Sequence, residues 1–246
     1  MSSPSSVQIS PEGQSQKELR NLGTFFSDKT LSDVIVKFGD QEIFAHRIIL
    51  VKSSVWFEKA LLGDLKVGQH VRPAVTAMLR FFYDGTYRLD GLKGNSADQH
   101  LTMYRLADLY DASSLRKQAS RHLINQFSQD RYHTNSADQY RMADQVIRSI
   151  QQIIGPSADT FADNSIQEDV FKFIIEQASS MYKNELFQEL LGDGSMFSES
   201  FARRFFQKTG ELITRLQRNR SDDWGATPFS PYYTPLQLGN RHMGSL

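Results

Sequence analysis

Asp33-Val-Ile-Val-Lys-Phe38, Gly39-Asp40, Gln41-Glu-Ile-Phe-Ala45 and His46-Arg47-Ile-Ile-Leu50 follow one another without a break, and their reading decides the fold. The first segment is β-branched and bounded by polar turns, which predicts a strand. Gly39-Asp40 is a two-residue hairpin signal, because Gly supplies the positive φ that a II′ turn requires. Gln41–Ala45 then pairs back on the first strand. Ile48–Val51 follows, and Ser53-Ser54 leads into a helix-like stretch, Val55–Leu62. A hairpin that runs straight into helices predicts an α+β protein, with a small sheet packed by helices.

Upstream of the hairpin, Ser15-x-x-Glu18 is a capping box, and Leu19, Leu22 and Phe26 follow at helical spacing. They predict a short amphipathic helix whose apolar face lies outside the hairpin core. Residues 1–14 are Ser/Pro/Gln/Gly-rich and are read as a disordered lead.

Downstream, Pro73 suits a first helical position. The helix 74–83 places Val75, Met78 and Phe82 on one face, and Asp84-Gly85 stops it. Ser96-x-x-Gln99 caps a helix carried by Leu101, Tyr104 and Ala107 to about Tyr110, and Leu115, Ala119 and Leu123 mark the next. The remainder reads as all helix. Ser136-x-x-Gln139 caps a segment to Ile154, closed by Gly155-Pro156; Ser165-x-x-Glu168 caps 166–181; Phe201, Phe205, Leu212 and Leu216 mark a last helix. From Ser221 the chain is Pro/Gly/Tyr/Ser-rich and is read as a disordered tail, 221–246.

Asn95-Ser-Ala-Asp-Gln99 recurs identically as Asn135–Gln139, and Tyr104-Arg-Leu-Ala-Asp108 recurs as Tyr140-Arg-Met-Ala-Asp144. Two readings stand: a partial duplication, or two capped helices that share a start signal.

Composition narrows the function. With 39% hydrophobic and 23% charged residues the chain is neither a membrane bundle nor fully disordered. Lys plus Arg and Asp plus Glu are 28 each, so no general electrostatic pull on nucleic acid or anionic membrane exists, and neither is expected as a partner. No cysteine is present, which excludes a disulfide framework, a Cys nucleophile and a Cys-ligated zinc site. The N-terminal residues show neither a basic nor an apolar signal region, so an intracellular location, cytoplasmic or nuclear, is expected.

Chemistry-bearing motifs are scarce. His46 has no ligand or carboxylate at i+3 or i+4 and is read as structural, and the six histidines never pair at ligand spacing in the sequence. Gly192-Asp-Gly-Ser195 lacks phosphate-loop spacing and is read as a helix–helix turn. No nucleophile-elbow, zincin, dinucleotide or P-loop string appears, and no enzyme activity, cofactor or metal is expected. Arg203–Arg220 holds six Lys/Arg against one Glu, interleaved with Phe205, Phe206, Ile213 and Leu216. It reads either as the solvated face of the last helix, the preferred reading, or as a docking helix for an anionic partner.

The segment Phe25–Leu62 resembles the start of a BTB (POZ) domain. The residues that carry the resemblance are Ser32-Asp33-Val34, the hairpin, Phe44-Ala45-His46-Arg47-x-x-Leu50 and Ser54-x-x-Phe57. Met78-Leu-x-Phe81-Phe82-Tyr83-x-Gly85-x-Tyr87 is similar to the family's third helix and its exit, and Tyr104-x-Leu-Ala-Asp108-x-Tyr110 with Leu115 to its fourth. The helical region beyond resembles the tail of compact BTB proteins common in fungi. The organisation expected is therefore a BTB/POZ-like domain over 15–125 and a helical region over 126–220. The chain departs from the family between Leu62 and Pro73. Ten residues, Gly63–Arg72, stand where the family carries about twenty with a helix and a strand, and Arg72 replaces the usual acidic residue. A truncated isoform with impaired function is one reading of that link.

The resemblance implies a non-enzymatic protein–protein interaction module that self-associates as a homodimer, with a role as substrate adaptor on a cullin-type ubiquitin ligase scaffold; the alternative is a structural or regulatory dimer with no ligase link. It also brings Asp33 and Arg47 together, either at a dimer-facing pocket or, as preferred, as an intramolecular ion pair that fixes the hairpin to the first helix. Leu19, Leu22 and Phe26 are the candidate self-association face.

Overall fold

The computed structural model describes residues 22–38, 40–62, 72–130 and 142–224, with side chains through Arg215. Strand β1 (Val34–Phe38) pairs antiparallel with β2 (Gln41–Ala45), from Val34 opposite Ala45 to Phe38 opposite Gln41. Alternation sorts the side chains: Val36, Phe38, Ile43 and Ala45 are buried, while Ile35 and the Lys37–Glu42 ion pair (2.7 Å) face out. Part of the expected turn, Gly39, lies outside the described residues, as does most of the shortened link.

Helix α1 (Arg47–Ser53) follows β2 almost directly, and Ser54 separates it from α2 (Val55–Leu62). Ser54 is buried, accepts from the Phe57 N–H (3.1 Å) and donates to the Tyr110 carbonyl (2.5 Å). One hydroxyl thus caps α2 and ties it to the chain that follows α4. Helices α3 (Arg72–Asp84), α4 (Ser96–Leu109) and α5 (Ser113–Asp130) complete this part. Leu50, Val75, Met78, Leu101, Leu115 and Leu123 are fully buried at its centre. Helix α3 stops where Gly85 takes φ 70°, a conformation that suits glycine.

The capping residues differ from the sequence reading. The α4 cap is Asn95, whose side chain accepts from the Asp98 N–H (2.9 Å), while Gln99 donates to the carbonyls of Leu92 and Gly94. Asparagine one residue earlier reaches the orphan N–H, so Ser96 enters the first turn. Helix α5 runs unbroken past residue 125, where the domain boundary was drawn.

Helix α6 starts only at Asp144 and ends at Ile154; the Ser136-x-x-Gln139 box lies outside the described residues. The two halves of the internal repeat therefore differ in placement, since Asp108 sits near the end of α4 and Asp144 opens α6. Val146, Ile147, Ile150, Ile153 and Ile154 bury one face of α6. The helix ends where Gly155 turns to an extended conformation, a position that needs glycine because a Cβ would collide with the Gln151 carbonyl. The single helix expected over 166–181 is two, α7 (Ser165–Glu176) and α8 (Ala178–Met181), broken at Gln177, and Ser165 follows the cap position, Asn164. Helix α9 (Glu185–Gly192) ends in the turn read from Gly192–Ser195, where Gly194 has φ 77°. Helix α10 (Glu199–Trp224) continues through Ser221–Trp224, residues that had been assigned to the tail. Two compact units result, one through Ala202 and one from Arg203 on.

Asn184 is the polar key of the C-terminal part. It is fully buried; its oxygen accepts from the Phe187 N–H (2.9 Å), and its amide donates to the Met142 carbonyl and to Asp144 Oδ1, both at 2.7 Å. One side chain caps α9 and holds the start of α6. Asn184→Ala removes all three hydrogen bonds of a fully buried side chain and should lower the unfolding free energy by about 1–3 kcal/mol, read from the urea midpoint.

Candidate interaction site

The junction between β2 and α1 gathers side chains from four parts of the chain. Asp33, just before β1, donates its N–H to the Ala45 carbonyl (3.2 Å), and its Oδ1 accepts from the backbone N–H of Arg47 (2.7 Å). A carboxylate at the first turn of α1 satisfies an orphan donor and suits the positive end of the helix. The Arg47 guanidinium turns away and donates to the Leu61 carbonyl (2.7 Å), the end of α2. Asp33 and Arg47 therefore meet, but not as the expected ion pair: the contact runs through the Arg47 backbone, because its side chain is taken by an unsatisfied helix carbonyl.

His46 sits between them. Its Nε2 lies 3.1 Å from the Thr30 carbonyl, which only accepts, so Nε2 carries the hydrogen. Nδ1 is then free to accept from the Tyr83 hydroxyl (2.9 Å), whose oxygen also accepts from the His46 N–H (2.9 Å). Burial pushes the Tyr83 hydroxyl up from its ordinary pKa. Edge-on rings extend the contact from Phe25 to His46 (6.0 Å), His46 to Tyr83 (5.8 Å) and Tyr83 to Phe26 (5.6 Å), each pair worth about 0.5–1.5 kcal/mol beyond its area. Arg80 lies 5.5 Å over the Phe26 ring.

These contacts redistribute the expected self-association face. Phe26 is half-buried against Tyr83 and Arg80, and Leu22 is exposed on a 3-10 turn, Leu22–Phe25, rather than on an α-helix; Leu19 lies outside the described residues. Large apolar side chains stand in solvent instead at Leu31, Ile35 and Ile48, around the same junction.

A second cluster escaped the sequence reading. His100 on α4 and His122 on α5 stack, 5.3 Å between ring centres, although 22 residues separate them. The Tyr87 hydroxyl lies 2.8 Å from His100 Nδ1, and Gln118 reaches His122 at 3.2 Å. Burial, with the neighbouring His122 second, lowers the His100 pKa to about 4; burial and Arg121 lower that of His122. Histidine spacing along one helix cannot reveal a pair made between two. Among the described residues no group of three or more His, Asp or Glu has metal-binding geometry, and no helix is long and apolar enough to cross a membrane. The carboxylates whose pKa departs from the ordinary value are all lowered; at Asp163 the cause is the hydroxyl and N–H of Ser165.

Residues 22–127 match the family model of the BTB/POZ domain, and the chain carries that domain, a protein–protein interaction module, across those residues. None of the curated proteins matches the chain.

Three expectations follow. Asp33→Ala removes the acceptor at α1 and should cost about 0.5–2 kcal/mol. Arg47→Gln keeps the backbone N–H, so a double-mutant cycle of unfolding free energies should give coupling below about 0.5 kcal/mol; an ion pair would give more. The lowered pKa of His100 sets a pH dependence. Between the ordinary value of 6.5 and about 4, the unfolded chain binds a proton that the folded chain does not. Stability from this cluster is complete above about pH 6.5 and is lost as the pH falls toward 4. Urea midpoints at pH 7.5 and 5.5 should differ more in the wild type than in His100→Asn.

Proposed function

We propose that the protein is a non-enzymatic assembly module that works in the cytoplasm or nucleus, self-associates as a two-fold homodimer through its BTB/POZ domain, and serves as an adaptor with a cullin-type ubiquitin ligase scaffold as its second partner. The observation that supports self-association is the apolar surface left in water at the β2–α1 junction: Leu31 is 81%, Ile48 73% and Ile35 44% exposed. They stand on adjoining segments. Leu31 follows Thr30, which holds His46; Ile48 comes two residues after His46; Ile35 lies on β1 opposite Phe44. A two-fold axis lets one such patch bury itself against its own copy.

The scaffold role rests on the family resemblance. The shortened link Gly63–Arg72 favours a second reading, a structural or regulatory dimer with no ligase partner, because in the family that stretch supplies part of the surface that meets the scaffold. Sedimentation at tens of micromolar should give a dimer, and Leu31→Asp with Ile48→Asp should weaken it at least tenfold. A wild-type monomer at that concentration sinks the proposal. Pull-down with a purified cullin N-terminal region separates adaptor from plain dimer.

A further inference from the structure

The basic stretch Arg203–Arg220 is not absorbed by any of the functions above. The side chains of α10 decide between its two readings. A helix that merely closes a fold turns its large apolar residues inward and leaves its charges in water. Here Phe206 and Ile213 are each 56% exposed, and Leu212 is 39% exposed. At about 100° per residue, Phe206 and Ile213 fall within about 20° of one another and form one open apolar stripe. Lys208 and Arg215 are also seven apart, both exposed, and lie on the opposite side of the helix, about 180° away, with exposed Leu212 about 40° from Lys208 and exposed Arg203 about 60° from Phe206, so that apolar and cationic groups occur on both sides. Lys208 pairs with Glu211 (2.9 Å), the one acid among six Lys/Arg between Arg203 and Arg220.

We propose that this stretch of α10 is a docking helix for a protein that wraps it, with an apolar groove edged by carboxylates, of the calmodulin type. The distribution of groups selects this occupant. A membrane surface is flat: seating Phe206 and Ile213 in it would turn Lys208 and Arg215 away from anionic headgroups, and interfacial helices gain from both terms together. A second copy of α10 would bring two stretches of net charge +5 against each other, a like-charge penalty with no compensating acid in the stretch beyond Glu211. A partner that surrounds the helix meets exposed apolar and cationic groups on both of its sides at once. The inference holds whether or not the BTB/POZ domain self-associates.

The test is titration of the full-length protein with calcium-loaded calmodulin as probe, followed by isothermal calorimetry at two salt concentrations. The expected result is a one-to-one complex with a dissociation constant at or below about 1 μM, corresponding to about −8 kcal/mol, weaker at high salt and absent with a calcium chelator. Phe206→Ser with Ile213→Ser, and separately Lys208→Glu with Arg215→Glu, should each weaken it at least tenfold. All four positions are exposed, and the far-UV circular dichroism of both variants should match the wild type. No complex with the probe, or equal affinity in either double variant, overturns the proposal. So does a wild-type chain that binds phosphatidylserine vesicles but not calmodulin, and so does loss of self-association in the Phe206→Ser, Ile213→Ser variant, which would assign the face to a second copy.

Discussion

The BTB/POZ domain depends on how β2 is turned into α1. Two strands of five residues cannot hold themselves together in water, and a hairpin of that size needs helices against its apolar face. The chain must leave the sheet at Ala45 and enter a helix at Arg47, which leaves the N–H groups of residues 46 and 47 without strand or helix partners. Asp33 takes one and the Tyr83 hydroxyl takes the other. The Thr30 carbonyl then fixes the His46 ring, and the ring fixes Tyr83. Through this joint the segment before β1, the hairpin, α1 and the C-terminal end of α3 become one piece. Its strength comes from a charge-assisted hydrogen bond at Asp33 and partly buried ones at Tyr83, which are individually modest but act together.

A comparable joint ties the helical region to the domain. Arg116 on α5 is mostly buried and reaches Asp108 (3.0 Å) at the end of α4, Asp111 (3.1 Å), and Asp163 (3.6 Å) ahead of α7. Asp108 also accepts from the Ala162 N–H. Tyr104, buried in α4, puts its hydroxyl 3.0 Å from Ser165 Oγ at the start of α7. A partly buried cation shared by three carboxylates loses hydration that only the full set restores, so removing one partner harms more than exposed ion pairs such as Arg105–Asp159 would suggest. The segment that leads into α7, and the first turns of α7, are thus held to α4 and α5 by polar contacts, among them Ser120 Oγ donating to Asp169 (2.6 Å).

What was legible in the sequence follows period and local rule. The β-branched run and the turn signal predicted the hairpin that forms, and helical spacing placed Val75, Met78, Leu101, Leu115, Ala119 and Leu123, all of them buried. Caps were less secure. Ser96 and Ser165 matched the capping-box string, but Asn95 and Asn164 stand one residue before each at the helix boundary, and only φ/ψ decides which residue stays outside the helix. The site was half legible. The resemblance joined Asp33 to Arg47, yet a salt bridge is what residue types suggest, whereas the fold offered the carboxylate a backbone N–H and the guanidinium a helix carbonyl. Tyr83 stands 37 residues from His46, and His122 stands 22 from His100; such pairings belong to tertiary packing, which no local pattern encodes.

The same joint explains why the apolar groups at its rim are informative. Leu31 adopts φ 60°, a left-handed conformation that is costly for a branched-chain residue, and holds an apolar side chain almost wholly in water. Neither feature helps the isolated domain. Both are consequences of the chain that must bring the Thr30 carbonyl to His46 and Lys29 to within 5.0 Å of the Phe44 ring before β1 begins. The strain is thus offset by the polar joint, and its result is a leucine turned to solvent just ahead of β1. Burying such side chains against a partner returns about 25 cal/mol per Å². With the Leu31 backbone fixed by the turn, the entropy that opposes that gain is that of the exposed side chain's own rotamers, smaller than the cost of ordering a free loop.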